Sequence, residues 1–119
     1  MTVSPNPAPY ASLSVEALAQ RLAEADDAVQ LIDVREPSEL ELASLPGFAN
    51  LPLSEFAEWS ETIHSRFERD RDTIVLCHHG IRSAQMCGWL AQQGFTQLKN
   101  VTGGIDAYAL LVDRAVPRY

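Results

Sequence analysis

Two rhythms of apolar residues alternate along the chain: stripes at helical spacing, and short unbroken runs between them. From Ser14, SVEALAQRLAEA sets Val15, Leu18, Ala19 and Leu22 at i, i+3, i+4 and i+7, which predicts a helix. Ser14 suits its N-cap and Glu16 its first turn. VQLIDV then reads as a buried strand ending at Asp33, and EPSELELA as a helix entered through Pro37. LPGFANLPL reads as turn, short extended segment and turn. SEFAEWSETIHSRF predicts one helix with Ser54 as its cap and Phe56, Trp59, Ile63 and Phe67 on one face. DTIVLC, residues 72–77, is a second buried strand. A helix over 83–93 follows, with Met86, Trp89 and Leu90 on one side and Gly94 as its stop. FTQLKNV is a third strand and GGIDAYALLV a last helix. Strands alternating with helices predict an α/β fold: a single domain with a central, mainly parallel sheet flanked by helices on both faces.

Composition narrows the function classes. At 119 residues, 46% hydrophobic and 21% charged, the chain fits one ordinary globular domain. A net charge of −7 argues against a nucleic-acid surface and against anionic membranes. No apolar run approaches the roughly 18 residues of a membrane span. The opening MTVSPNPAPY lacks the charged and apolar regions of a secretory signal, so a cytoplasmic location is expected. We read residues 1–11 as a flexible lead-in and 12–119 as the domain. Two cysteines in a reducing compartment stay free. Cys77, His78 and His79 are too closely spaced for a known zinc pattern, so no metal and no cofactor is expected.

The candidate chemistry lies where TIVLC runs into HHGIRS. Ligands of open α/β sheets bind at the carboxyl ends of strands, beside helix N-termini. Cys77 is at such an end, and a helix starting near Arg82 aims unpaired N–H groups back at it. An anionic sulfur there, thiolate or persulfide, gains from the dipole, from the N–H donors and from the guanidinium. His78 or His79 adds charge when protonated, and Gly80 lets the backbone curl around an anion. The competing reading is an inert core thiol. A core thiol needs neither Arg82, Ser83 nor Gly80, so these residues favour a reactive nucleophile.

CHHGIRS resembles the active-site loop of the rhodanese family of sulfurtransferases, in which a Cys-x4-Arg loop surrounds the sulfur-carrying cysteine. LIDVREPSE at 31–39 resembles the family's first signature, and LPGFANLPL at 45–53 its Pro-Gly-Ala-x-Asn-x-Pro segment. VTGGIDAY at 101–108 resembles the Gly-Gly segment before the final helix, and VDRAVPRY the end of single-domain members. The resemblance implies a rhodanese-like domain in which Cys77 takes a sulfane sulfur as a persulfide and passes it on, with ping-pong kinetics. His78, His79, Gly80, Ile81, Arg82 and Ser83 would form the substrate-binding loop, with Arg82 holding an anionic donor and Ser83 capping the helix. The implied partners are a small donor such as thiosulfate and an acceptor such as cyanide, a thiol or a sulfur-carrier protein, acting on a monomer. Three positions depart from the family: Ser44 replaces a histidine, Tyr108 replaces a frequent tryptophan, and two histidines leave Arg82 as the loop's only permanent cation. The last change favours a neutral or protein-borne donor.

Other residues carry plainer readings. Asp33 and Arg35 are supporting candidates near the pocket, or a structural ion pair. Cys87 is a resolving thiol or a core residue. Trp59 and Trp89 read as packing, and Glu39, Glu41, Glu55, Glu58 and Glu61 as solvated faces. Two other functions compete with sulfur transfer. A cysteine-dependent phosphatase or arsenate reductase has one more residue between Cys and Arg, and a non-catalytic rhodanese-like module would bind a partner or sense redox state.

Overall fold

The computed structural model describes residues 9–24 and 27–119. Five strands form one sheet: β1 (Ala11–Leu13), β2 (Gln30–Asp33), β3 (Ala49–Asn50), β4 (Thr73–Leu76) and β5 (Leu98–Val101). Their order is β1-β5-β4-β2-β3, and every pairing is parallel. The helices are α1 (Val15–Ala23), α2 (Pro37–Leu42), α3 (Phe56–Trp59), α4 (Ile63–Arg66), α5 (Ile81–Gln92) and α6 (Gly104–Leu111). No helix among the described residues is long and apolar enough to cross a membrane.

The central strand explains the layering. All four residues of β4 are buried, as expected of a parallel strand covered on both faces. Side chains alternate along it. Ile74 and Leu76 join Val15, Leu18, Ile105 and Tyr108 in one core, beneath α1 and α6. Val75 and Cys77 join Trp59, Ile63, Met86, Cys87 and Leu90 in the other, beneath α3, α4 and α5. The candidate nucleophile therefore grows out of the middle of the sheet, anchored by packing on both sides.

Several expectations need correction. The part of the lead-in over residues 1–8 lies outside the described residues, but Ala11 belongs to β1, paired with Lys99 of β5. This edge strand has three residues and only Leu13 as a large apolar anchor, too short for a periodic signal. The single helix expected from Ser54 is broken into α3 and α4, with 3-10 turns at Leu53–Glu55 and Ser60–Thr62. Ser54 lies inside the first turn, and its hydroxyl bonds the Glu36 carboxylate instead of capping. The predicted face still holds Trp59 and Ile63 in the core. Helix α5 begins at Ile81 with Gly80 as its N-cap, so Ser83 sits within its first turn and is not the cap. At α1 the expected cap is present: Ser14 Oγ accepts from Ala17 N at 3.1 Å.

Candidate functional site

Strand order reverses between β2, which leads outward to β3, and β4, which leads to β5 on the other side. The carboxyl ends of β2 and β4 thus flank a switch point, the usual ligand position in such sheets. Asp33 ends one strand and Cys77 follows the other.

Cys77 is 1% exposed. Its Sγ accepts the Gly80 N–H at 3.0 Å and lies 3.2 Å from Ser83 Oγ. Gly80 makes this curl possible with φ +97°, a left-handed conformation that glycine adopts without strain. The amides of Ile81, Arg82 and Ser83 form the first turn of α5, where N–H groups have no acceptor within the helix. From behind, α6 clamps the loop: Ile105 N donates to Cys77 O at 2.9 Å and Asp106 N to His78 O at 3.1 Å. The second glycine of the Gly-Gly segment is required by that approach. A Cβ on Gly104 would lie 2.4 Å from both carbonyl oxygens.

Arg82 faces a carboxylate. Its Nη1 and Nη2 donate to Glu39 Oε2 and Oε1 at 2.7 and 2.8 Å. Glu39 also accepts from Glu36 N at 2.9 Å and from the Tyr119 hydroxyl at 3.1 Å. The Arg82 hydrogen bonds hold its carboxyl at about 2, well below the ordinary 4.5. Glu39 is therefore not the solvated surface acid that composition suggested. It neutralises the loop's arginine, whose own pKa the carboxylate raises.

Asp33 and Arg35 form the buried ion pair, with Nη2 to Oδ2 at 2.7 Å and the arginine 0% exposed. Arg35 Nη1 also donates to the Tyr119 hydroxyl at 2.8 Å. A chain of polar contacts thus runs from Asp33 through Arg35, Tyr119 and Glu39 to Arg82, joining the ends of β2, α2 and α5 to the last residue. The asparagine of LPGFANLPL, Asn50, supports it by donating to the carbonyls of Asp33 and Arg35 at 3.0 and 2.8 Å.

The two loop histidines differ. His78 is stacked flat against Tyr119, ring centroids 3.9 Å apart, and its Nε2 is buried with no partner among the described residues. Burial, and after it His79, pushes its pKa down, so His78 is neutral at neutral pH and lends no charge to the sulfur. His79 is exposed, 3.8 Å from the Asp106 carboxylate that Arg118 holds at 2.9 Å. His78, His79 and Asp106 offer ligand atoms within 4.8 Å of one another, a group that spacing along the loop could not reveal because Asp106 comes from α6. The two imidazoles lie close together, ring centroids 3.9 Å apart and tilted by 30°.

Three participants escaped the sequence reading: Glu39, Asn100 and Tyr119. Asn100 Oδ1 accepts from Ser83 Oγ, and its Nδ2 donates to Gly80 O at 3.1 Å. A polar residue inside the buried strand LKNV was the available signal. The remaining candidates sit plainly. Ile81 is 71% exposed at the loop's rim, Ser44 is exposed, and Tyr108 packs in the α1–α6 core. Cys87 is fully buried, with its thiol pushed up to about 12 by burial. Trp59 and Trp89 pack edge to face, 5.7 Å apart.

Comparison with known proteins identifies the family. The model of the rhodanese-like domain matches residues 14–111. The chain belongs to the rhodanese-like family. This rhodanese-like domain is 53% identical over 93 residues to the rhodanese-like/PpiC domain-containing protein 12 of Arabidopsis thaliana, named as chloroplastic; the match covers 78% of this chain and 31% of that protein. A protein named sulfurtransferase from Allochromatium vinosum is 38% identical over 94 residues, covering 79% of this chain and 83% of the relative. Among solved structures, a rhodanese-related protein from Thermoplasma volcanium superposes with a TM-score of 0.68 at 34% identity, covering 85% of this chain and 92% of that one. Fold class and family thus agree with the expectation from sequence.

Proposed function

We propose that this rhodanese-like domain is a sulfurtransferase that carries a sulfane sulfur as a persulfide on Cys77. The observation that carries the proposal is the Gly80 N–H on Cys77 Sγ at 3.0 Å, at the mouth of a helix N-terminus. That donor favours an anionic sulfur, and the free amides of the first turn of α5 are within the same loop to receive an outer one. In the first step the Cys77 thiolate attacks the outer sulfur of the donor; an S–S bond forms and the donor's remainder leaves, as sulfite when the donor is thiosulfate. In the second, an acceptor attacks the outer sulfur and the thiolate departs. Cyanide would leave as thiocyanate, and a thiol, small or borne on a protein, as its persulfide.

The Glu39–Arg82 pair sharpens the donor class. A guanidinium already bound through both nitrogens has little charge left for a small dianion. This supports a neutral or protein-borne donor over thiosulfate. It also weighs against phosphate esters, as does a loop one residue shorter than a phosphatase requires. The chemistry needs a compartment that keeps both thiols free, which the cytoplasm provides.

The test is intact-protein mass after incubation with thiosulfate or 3-mercaptopyruvate, beside Cys77→Ser. A reducible gain of one sulfur, absent from the variant and discharged by cyanide, is expected. No gain with either donor or with an uncharged persulfide donor would overturn the proposal and leave a module that binds a partner or senses redox state.

A further inference from the structure

The hydrogen bonds around Ser83 have a direction that the distances alone determine. Gly80 O can only accept, so the amide nitrogen of Asn100 must face it, at 3.1 Å. Asn100 Oδ1 is thereby turned to Ser83 Oγ, and it too can only accept. The single hydroxyl proton of Ser83 is therefore committed to Asn100. Towards Cys77 Sγ, 3.2 Å away, Ser83 presents a lone pair.

We propose that Asn100 is a positioning residue: it holds the Ser83 hydroxyl proton away from Cys77 and so restrains the nucleophilicity of that sulfur. A thiol fits the arrangement, donating its S–H to Ser83 Oγ while Ser83 donates to Asn100. A thiolate does not, because it meets an oxygen lone pair. Ser83 can turn its proton to the sulfur only by leaving Asn100 Oδ1 unpaired, and both residues are buried, at 0% and 8% exposed. When the S–H proton leaves to solvent, one of these two hydrogen bonds is forfeited.

The other groups around the sulfur act separately. The Gly80 N–H favours the anion. Arg82 on α5 is engaged by Glu39 of α2, and Cys87 on α5 is a neutral buried thiol. In the loop His78 is neutral, while His79 faces Asp106 of α6, which Arg118 holds. Asp33 and Arg35 at the end of β2 satisfy one another.

The proposal takes its meaning from the sulfurtransferase reading, but its test reads the thiol and not sulfur loading, so the two fail separately. The probe is iodoacetamide, with alkylation of Cys77 in the full chain followed by peptide mass across a range of pH. Asn100→Ala frees the Ser83 proton for the sulfur and is expected to speed alkylation on the order of tenfold below the plateau of the pH profile, the worth of one hydrogen bond to a charged group. Ser83→Ala in that background removes the gain. An unchanged or slower rate in Asn100→Ala with native near-ultraviolet circular dichroism overturns the proposal. Ser83→Ala alone decides it should Asn100→Ala not fold. It removes the opposing lone pair, so alkylation rises, whereas an unchanged or slower rate overturns the proposal.

Discussion

Gly104→Ala tests the clamp that α6 places behind the Cys77 loop. The new Cβ would stand 2.4 Å from the carbonyl oxygens of Cys77 and His78, where nonbonded carbon contacts settle at roughly 3.5 Å. Both sides of the clash are backbone, so α6 and the loop must separate by about 1 Å. The bonds Ile105 N to Cys77 O and Asp106 N to His78 O, now 2.9 and 3.1 Å, would then be lost, at about 1 kcal/mol each. Holding alanine at φ +61° adds about 1 kcal/mol more. The sum is about 3 kcal/mol, a fall in Tm of roughly 10–20 °C for a domain of this size. Gly88→Ala is the control: it lies within α5 with nothing within 4 Å of the added Cβ, and is expected to stabilise by about 0.5–1 kcal/mol. Urea unfolding of both variants measures the difference, and persulfide loading reports the loop. If Gly104→Ala stays within about 1 kcal/mol of the native protein while Gly88→Ala behaves as stated, α6 does not hold the loop and the argument fails.

Two further outcomes concern the polar network, and a third the buried thiol of Cys87. Because the folded protein lowers Glu39 from 4.5 to about 2, its stabilisation is complete above about pH 4.5 and lost as pH falls towards 2. With solvent screening this is worth about 1–2 kcal/mol, so urea unfolding at pH 7 should find Glu39→Gln weaker by that amount, and the gap should close near pH 2. A gap that persists there would assign the loss to packing. Asp33→Asn leaves the Arg35 charge buried and half compensated, and is expected to cost about 3–5 kcal/mol in the same assay, while a loss under 1 kcal/mol would mean the pair is dispensable. Cys87 should remain unlabelled by iodoacetamide at pH 8 in the folded chain and react once urea unfolds it, whereas labelling of the native protein would show that its burial is incomplete.

Legibility in the sequence followed the range of each interaction. Helix α1 was readable because its stripe, its cap and its first-turn acid are neighbours along the chain, and β4 because burial on both faces forces an unbroken apolar run. Cys77 was readable by its place between a strand and a helix. The partners that set its environment were not. Glu39 meets Arg82 across 43 positions, and Tyr119 meets Glu39 across 80. A glutamate in an acidic helix looks the same whether it faces water or a guanidinium. The break between α3 and α4 was hidden for a related reason, since the face of Trp59 and Ile63 stays buried whichever helical hydrogen-bond pattern carries it.

The charges around the loop decide what approaches it. Arg35 and Arg82 are matched by Asp33 and Glu39, so these four groups sum to zero at the switch point. Beyond them the chain carries −7. A thiosulfate dianion therefore meets repulsion at long range, and what attracts it locally is the N–H groups of the loop and of α5, not a free guanidinium. Salt screens that repulsion, with a Debye length of about 10 Å at 0.1 M and roughly 30 Å at 0.01 M. The rate of Cys77 persulfide formation from thiosulfate is expected to rise severalfold between those ionic strengths, while the rate from an uncharged persulfide donor stays flat. Stopped mass measurements with each donor make the comparison. A thiosulfate rate that falls with salt would mean that Arg82 does offer its charge to the donor, and that the Glu39 pair opens when substrate arrives.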